Sequence, residues 1–316
     1  MIGSRPTDKV RFSGRSLDDP KAGIGLVLLA AVFIAVTPST AKLAYQADAN
    51  TLAVVTFRCV SAVLGIGAFM LVTGQKFTFV FRDFPFGPLT GTAQAFGSFG
   101  LLLAVGYIDA GLAFLIVFFH PFLVAIVEQF RGNTRLRLIQ MALIVCALSG
   151  LALAVSAGLG VASYFGVGAA ILGALGSTVM VVTMSDASRK TNVISASFSM
   201  MFWASIYFIA ASVIGPSLHL LDAMIWPNSV TGWIGMAGTG FCFTVGYLLF
   251  FAGAKIIGIT RASVLSIIEP VLAILFAMVL LSEWITLTQW LGVALVVGSL
   301  VIFEKFQAST GKPTFQ

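Results

Sequence analysis

Ten runs of mainly apolar residues, each roughly 17 to 25 long, leave this chain few ways to fold. A helix of that length spans the ~30 Å of a bilayer's hydrocarbon core. In lipid, each backbone amide must be satisfied by protein, which restricts spanning structures to helices and closed barrels. Barrel strands are about 10 residues long and alternate apolar with polar residues, a pattern the chain lacks. The expected class is an all-α polytopic membrane protein with ten transmembrane helices. Their approximate spans are 23–45, 51–73, 86–107, 110–130, 138–157, 164–185, 193–214, 231–254, 260–281 and 286–303. Composition agrees: 59% of residues are hydrophobic and 9% charged, against about 25% charged in soluble domains.

The net charge of +6 does not point to nucleic acid, because of where the cations lie. Of the 18 Lys and Arg residues, all but Lys42 and Arg58 fall in the tails or in the loops on one side of the expected spans. That is the positive-inside bias, which puts both termini in the cytoplasm. Trp226, Trp233, Trp284 and Trp290 gather near the opposite, outer interface, where indole rings prefer to sit. Cys59, Cys146 and Cys242 all lie within spans, so they read as packing residues rather than a disulfide framework. No cleavable signal is expected, since the first span exceeds a signal-peptide core.

The chain also repeats itself. At an offset of 149, Thr90-Gly91 matches Thr239-Gly240, Gly97 matches Gly246, His120-Pro121 matches Glu269-Pro270, and Gln140 matches Gln289. At an offset of 141, Gly25, Thr37 and Phe57 match Gly166, Thr178 and Phe198. The eight-residue difference fits an insertion at 215–230, expected as an interfacial turn on the outer face. The organisation is therefore a cytoplasmic tail over 1–22, five-helix repeats over 23–157 and 158–305, and a second tail over 306–316. Five is odd, so the second repeat enters the membrane from the other side. Inverted repeats of this kind support alternating access.

Ten helices in two halves, with Glu269-Pro270, then Ser282-Glu283 and Gln289-Trp290-Leu291-Gly292, resemble the EamA-like permeases of the drug/metabolite transporter superfamily. The resemblance covers residues 22 to 305. It implies secondary transport of a small organic solute through a central cavity between the halves. The family often has Glu-Pro in the fourth helix, where this chain has His120-Pro121. Its usual Gly-Glu after that helix is replaced by Asn133-Thr134.

Candidate site residues follow from cost. A carboxylate at mid-bilayer is expensive and usually faces a cavity or a partner. Glu269 lies about 10 residues into its helix, roughly 15 Å deep, and His120 reaches a similar depth from the other side. Each precedes a proline, which leaves the carbonyl four residues back without its helical donor. Pro121 and Pro270 therefore mark helix breaks, and matched broken helices in two halves point to a transporter site. Glu269 and His120 are expected to approach one cavity and to bind substrate or a coupling proton. For both, the competing role is hydrogen bonding that merely holds a kink. Arg58, seven residues into helix two, is a candidate for an anionic substrate group, with a structural ion pair or hydrogen bonds to helix-end carbonyls as its alternative. Lys42, Gln94 and Phe118 are further candidates, and for Lys42 snorkelling to the interface is an adequate account. Phe96, Phe118 and Phe243 are expected to line the cavity. Glu128 and Arg131 are expected to pair at i,i+3, Glu283 to be structural, and Thr286 with Gln289 to form a capping box. Small-residue faces at Gly91/Gly97/Gly100, Gly168/Gly173/Gly176 and Gly240/Gly246 are expected to let helices pack closely.

No phosphate-binding loop, metal-spaced His/Cys cluster or serine nucleophile elbow is present in the sequence. The expected function is thus a secondary transporter in a cytoplasmic (inner) membrane, with a passive facilitator as the nearest rival and a membrane enzyme further off. Its expected partners are a small-molecule substrate, the bilayer and a coupling proton, with no cofactor and no metal.

Overall fold

The computed structural model describes residues 20–75, 86–132, 136–158, 164–188, 192–218 and 222–309. Most of the expected tails lies outside the described residues. So do Lys76, Arg82, Asn133, Thr134, Arg135, Arg189, Lys190, His219 and Lys312.

The described residues form helices and no strand. In chain order these are α1 (Pro20–Tyr45), α2 (Thr51–Val72), α3 (Phe86–Val105), α4 (Ala110–Val117), α5 (His120–Phe130), α6 (Leu138–Gly158), α7 (Tyr164–Ser188), α8 (Val193–Ser217), α9 (Val230–Ile257), α10 (Ile259–Ser266), α11 (Glu269–Leu281) and α12 (Leu287–Ser309). Eight spans are long and apolar enough to cross a membrane, with 110–130 counted across its break; Leu138–Ala154 and Glu269–Leu281 are shorter apolar helices. The first helix starts at Pro20, inside the expected tail, because proline suits the first helical turn. The last runs to Ser309, past its expected end at 303.

Caps set several of the starts. Asn50 and Ser229 accept from Ala53 and Gly232. The matched glutamines act alike: Gln140 accepts from the Arg137 amide at 2.9 Å, and Gln289 from the Thr286 amide at 2.7 Å. Gln289 with Thr286 is the expected reciprocal box.

Packing carries the repeat into three dimensions. The long interfaces are α1 on α9 and α3 on α7; then α2 on α9 and α3 on α8; with α6 on α12, α2 on α8 and α4 on α11. The sequence offsets exchange α1 with α7, α3 with α9, α2 with α8, and α6 with α12. The α1–α9 interface therefore maps onto α3–α7 and α2–α9 onto α3–α8, while α6–α12 and α2–α8 map onto themselves, as a two-fold relation between halves requires; α4 on α11 has no such counterpart among these interfaces. The expected glycine faces account for the closest approaches. A Cβ on Gly100 would meet the Gly173 backbone, and one on Gly176 the Gly97 backbone. Gly168 is an exception, with open space where its Cβ would be. The largest core cluster centres on α4, α5, α6, α11 and α12, around Phe122, Phe303 and Leu300.

Candidate functional site between the two halves

Both helix breaks border one cavity of about 510 Å³. Glu269, His120, Pro121, Arg58, Gln94 and Phe118 all line it. Pro270 is buried at its break without forming part of the wall. Phe243 lines the cavity as expected, but Phe96 does not. It is 52% exposed, because its helix turns Gly97 and Ser98 to the cavity instead.

At the first break the backbone tightens after α4, with Phe118 bonding to Phe114 at 2.8 Å and Phe119 to Ile116 at 3.1 Å. Pro121 has no N–H to give the Val117 carbonyl. The His120 ring supplies the replacement: Nδ1 lies 3.2 Å from that oxygen, and the Nδ1–H tautomer donates to it. The ring also stands edge-on to Phe118 at 5.7 Å. At the second break Pro270 frees the Ser266 carbonyl in the same way. Glu269, 6% exposed, begins α11 and makes no ion pair among the described residues. The Ser266 hydroxyl is buried and interacts with the Glu269 carboxyl.

Arg58 is 3% exposed, and its expected alternative of an ion pair does not occur among the described residues. Its guanidinium sits over the Phe243 ring, 4.4 Å from the centroid, a cation–π contact. Gln94 donates to the Ser98 hydroxyl at 2.7 Å.

Two wall groups escaped sequence reasoning. Tyr247 stacks one turn beyond Phe243, with ring centroids 4.7 Å apart, and lies within electrostatic reach of both Arg58 and Glu269. Glu304 lines the cavity from α12, one turn after Leu300. The expected span stopped at 303, one residue short of it; the i,i+4 spacing from Leu300 was the available signal.

Lys42 lies off the cavity wall. Its ammonium pairs with Glu283 at 2.5 Å and donates to the Ile108 carbonyl at 3.0 Å. Glu283 also accepts from the Ala110 amide at 2.9 Å. Burial raises the Glu283 carboxyl above its usual range, while Lys42 pulls it back down. This cluster ties α1, the start of α4 and the loop after α11 together at one end of the bundle. Nearby, the Asn50 amide donates to Ala223 at 2.7 Å and Asn228 bonds to Asp48. Residues 222–227, part of the expected interfacial turn, have no regular structure but are held by these bonds. Trp226 and Trp233 stack here, 5.9 Å apart. At the opposite end, Arg131 pairs with Glu128 at 2.9 Å, as expected, and also with Asp186 at 2.8 Å.

Comparison with known proteins agrees with this architecture. A model of the EamA-like transporter family matches residues 21–156 and again 164–304. One solved structure, titled only "Crystal structure of protein", is 18% identical, covers 92% of this chain and 99% of its own, and superposes with a TM-score of 0.62. That likeness speaks for the fold. No curated protein matches the chain. With both halves matched and two packed repeats around a shared cavity, the chain is a multi-pass membrane protein that belongs to the EamA-like transporter family.

Proposed function

We propose that this protein is a secondary transporter that moves a small organic metabolite by alternating access, with Glu269 carrying a coupling proton. One observation carries the reading: a buried carboxylate without an ion pair stands on the wall of a cavity between two-fold-related halves, at a proline break. Such a group is costly unless it is protonated or serves a pathway. Its proton would exchange with water as the cavity opens to each side in turn. His120 holds the matching break and lends the cavity a polar wall.

The membrane is a cytoplasmic (inner) membrane, crossed ten times with each broken helix counted as one span. Lys21, Arg131, Arg137, Lys255, Arg261 and Lys305 mark the inner end, so both termini are cytoplasmic. The repeats divide at 157/158. The cavity wall reaches Ser185, Val193, Ser263 and Glu304 toward that inner end, whereas the outer end is laced by Lys42, Glu283 and Asn50. This favours an inward-facing resting state.

The nearest rival is a passive facilitator of the same fold. Proteoliposomes given a mixture of labelled small metabolites and an imposed pH gradient distinguish the two. Coupled transport accumulates at least one compound above its external concentration, and a proton ionophore collapses the accumulation. Mere equalisation, indifferent to the ionophore, contradicts coupling.

A further inference from the structure

We infer that the solute carries a single oxyanionic head on a small apolar body, and that Arg58 is the residue that takes the head. This rests on the transporter reading above and narrows it to a class of substrate.

Arg58 is 3% exposed on the wall of a cavity whose surface is mostly apolar. A guanidinium taken out of water needs paired charge and satisfied donors. Here it has neither in full. No carboxylate pairs with it among the described residues, and its Nε–H is buried without a hydrogen-bond partner. Glu269 and Glu304 share the cavity but leave it unpaired. The Phe243 ring beneath it, at 4.4 Å, offsets part of the cost and fixes the plane of the fork. A planar guanidinium held on the cavity wall without a carboxylate partner matches a carboxylate, sulfonate or phosphate oxygen pair.

Two further observations favour an anion at this depth. The chain restarts as α5 at His120 and as α11 at Glu269, and both first turns border the cavity. Half-helix N-termini near the midplane present partial positive charge to anionic groups. The body of the solute is set by the rest of the wall, where Phe114, Phe118, Met180, Met184 and Met200 offer apolar and polarisable contact. Glu269 and Glu304 on the same wall disfavour a second negative charge.

Three probes of similar size, with fixed charges at neutral pH, test the assignment: benzenesulfonate, benzenesulfonamide and benzyltrimethylammonium. Thermal unfolding of the purified full chain in detergent reads their binding without requiring transport. Benzenesulfonate is expected to raise the melting temperature most. In Arg58→Gln its apparent affinity should fall at least about tenfold, with the preference over the amide lost. Arg58→Lys should keep the preference in weakened form, because the charge remains and the fork does not. Should Arg58→Gln not give monodisperse protein, Phe243→Leu takes its place. It removes the stack and is expected to weaken the sulfonate selectively. Equal shifts from all three probes (no shift at all included), a stronger shift from the cation, or an undiminished anion preference in Arg58→Gln or Phe243→Leu would overturn the assignment. The two readings fail separately. Anion preference without uphill flux upholds Arg58 and sinks coupled transport, whereas uphill flux without anion preference does the reverse.

Discussion

His120-Pro121 and Glu269-Pro270 stand at the same register of the two repeats and border the same cavity, yet their chemistry has diverged. At the first break the freed Val117 carbonyl is taken by the His120 ring at 3.2 Å, so the break closes on itself. At the second, Glu269 stands in the histidine's place: its ionised carboxylate cannot donate to the Ser266 carbonyl, and the side chain it interacts with is the Ser266 hydroxyl. One break closes on its own histidine; the other keeps an acid beside the cavity. The scaffold is symmetric while the titratable chemistry is concentrated on one side. The bundle ends differ in the same way. The cluster of Lys42 and Glu283 at one end leaves 21% and 10% of those side chains exposed, whereas at the opposite end Arg131 is 38% and Glu128 14% exposed.

The largest effect should separate the breaks by function. Glu269→Gln keeps size and hydrogen bonding but holds no removable proton, so gradient-driven accumulation in proteoliposomes is expected to fall to background. Exchange of solute without a gradient is expected to survive, since it needs no net proton movement. His120→Asn keeps a donor for the Val117 carbonyl, and its accumulation should stay within about threefold of wild type. Equal loss in both variants would erase the distinction.

Next come the prolines. Pro270→Ala restores an N–H that can reach the Ser266 carbonyl and straighten the break. Initial transport rates are expected to drop about tenfold, on the order of 1.4 kcal/mol in barrier. Pro121→Ala should cost less, because the Val117 carbonyl already has a partner. A reversed order would mean that the first break is the one that moves.

The outer cluster predicts a smaller, pH-dependent effect. Because burial raises the Glu283 carboxyl, it protonates at a higher pH than an exposed glutamate would. As pH falls through that raised value, the pair with Lys42 is lost and that end of the bundle loosens. Labelling of a cysteine placed at Asn228, on a cysteine-free background and normalised to a fully exposed control cysteine at each pH, should rise on acidification from neutral pH. Glu283→Gln should show the higher labelling at neutral pH, with no further pH response. A pH response that persists in Glu283→Gln would assign it to another group. A last effect is on stability rather than transport: His120→Ala leaves the Val117 carbonyl unpaired and should cost about 1–3 kcal/mol. His120→Asn should cost less, as measured by thermal unfolding.

Much of this was legible in the sequence because it is local or periodic. Apolar runs gave the helices, and the offset of 149 gave both breaks and the paired glutamine caps. The offset of 141 is echoed by Thr37 and Thr178, each bonded to the carbonyl four residues back. What stayed hidden depends on contacts between distant segments. Lys42 read as a snorkelling cation because nothing local announces Glu283 as its partner. Arg58 over Phe243 joins α2 to α9, across the two repeats. Phe96 and Gly168 were misjudged because a helix apolar on all sides does not reveal which face turns inward. Glu304 was missed where the span was ended a residue early.

The central claim is that the mobile proton sits at Glu269 and not at its counterpart, His120. Proton exchange on binding tests it most directly, read with a pH indicator in weakly buffered detergent solution. The solute added is the one that wild-type protein accumulates most. Wild type and His120→Asn are each expected to take up or release about one proton per solute bound, the sign distinguishing symport from antiport. Glu269→Gln is expected to bind the solute with no proton exchanged. The same proton count in well-folded Glu269→Gln would contradict the account and leave Glu269 a structural residue of the second break.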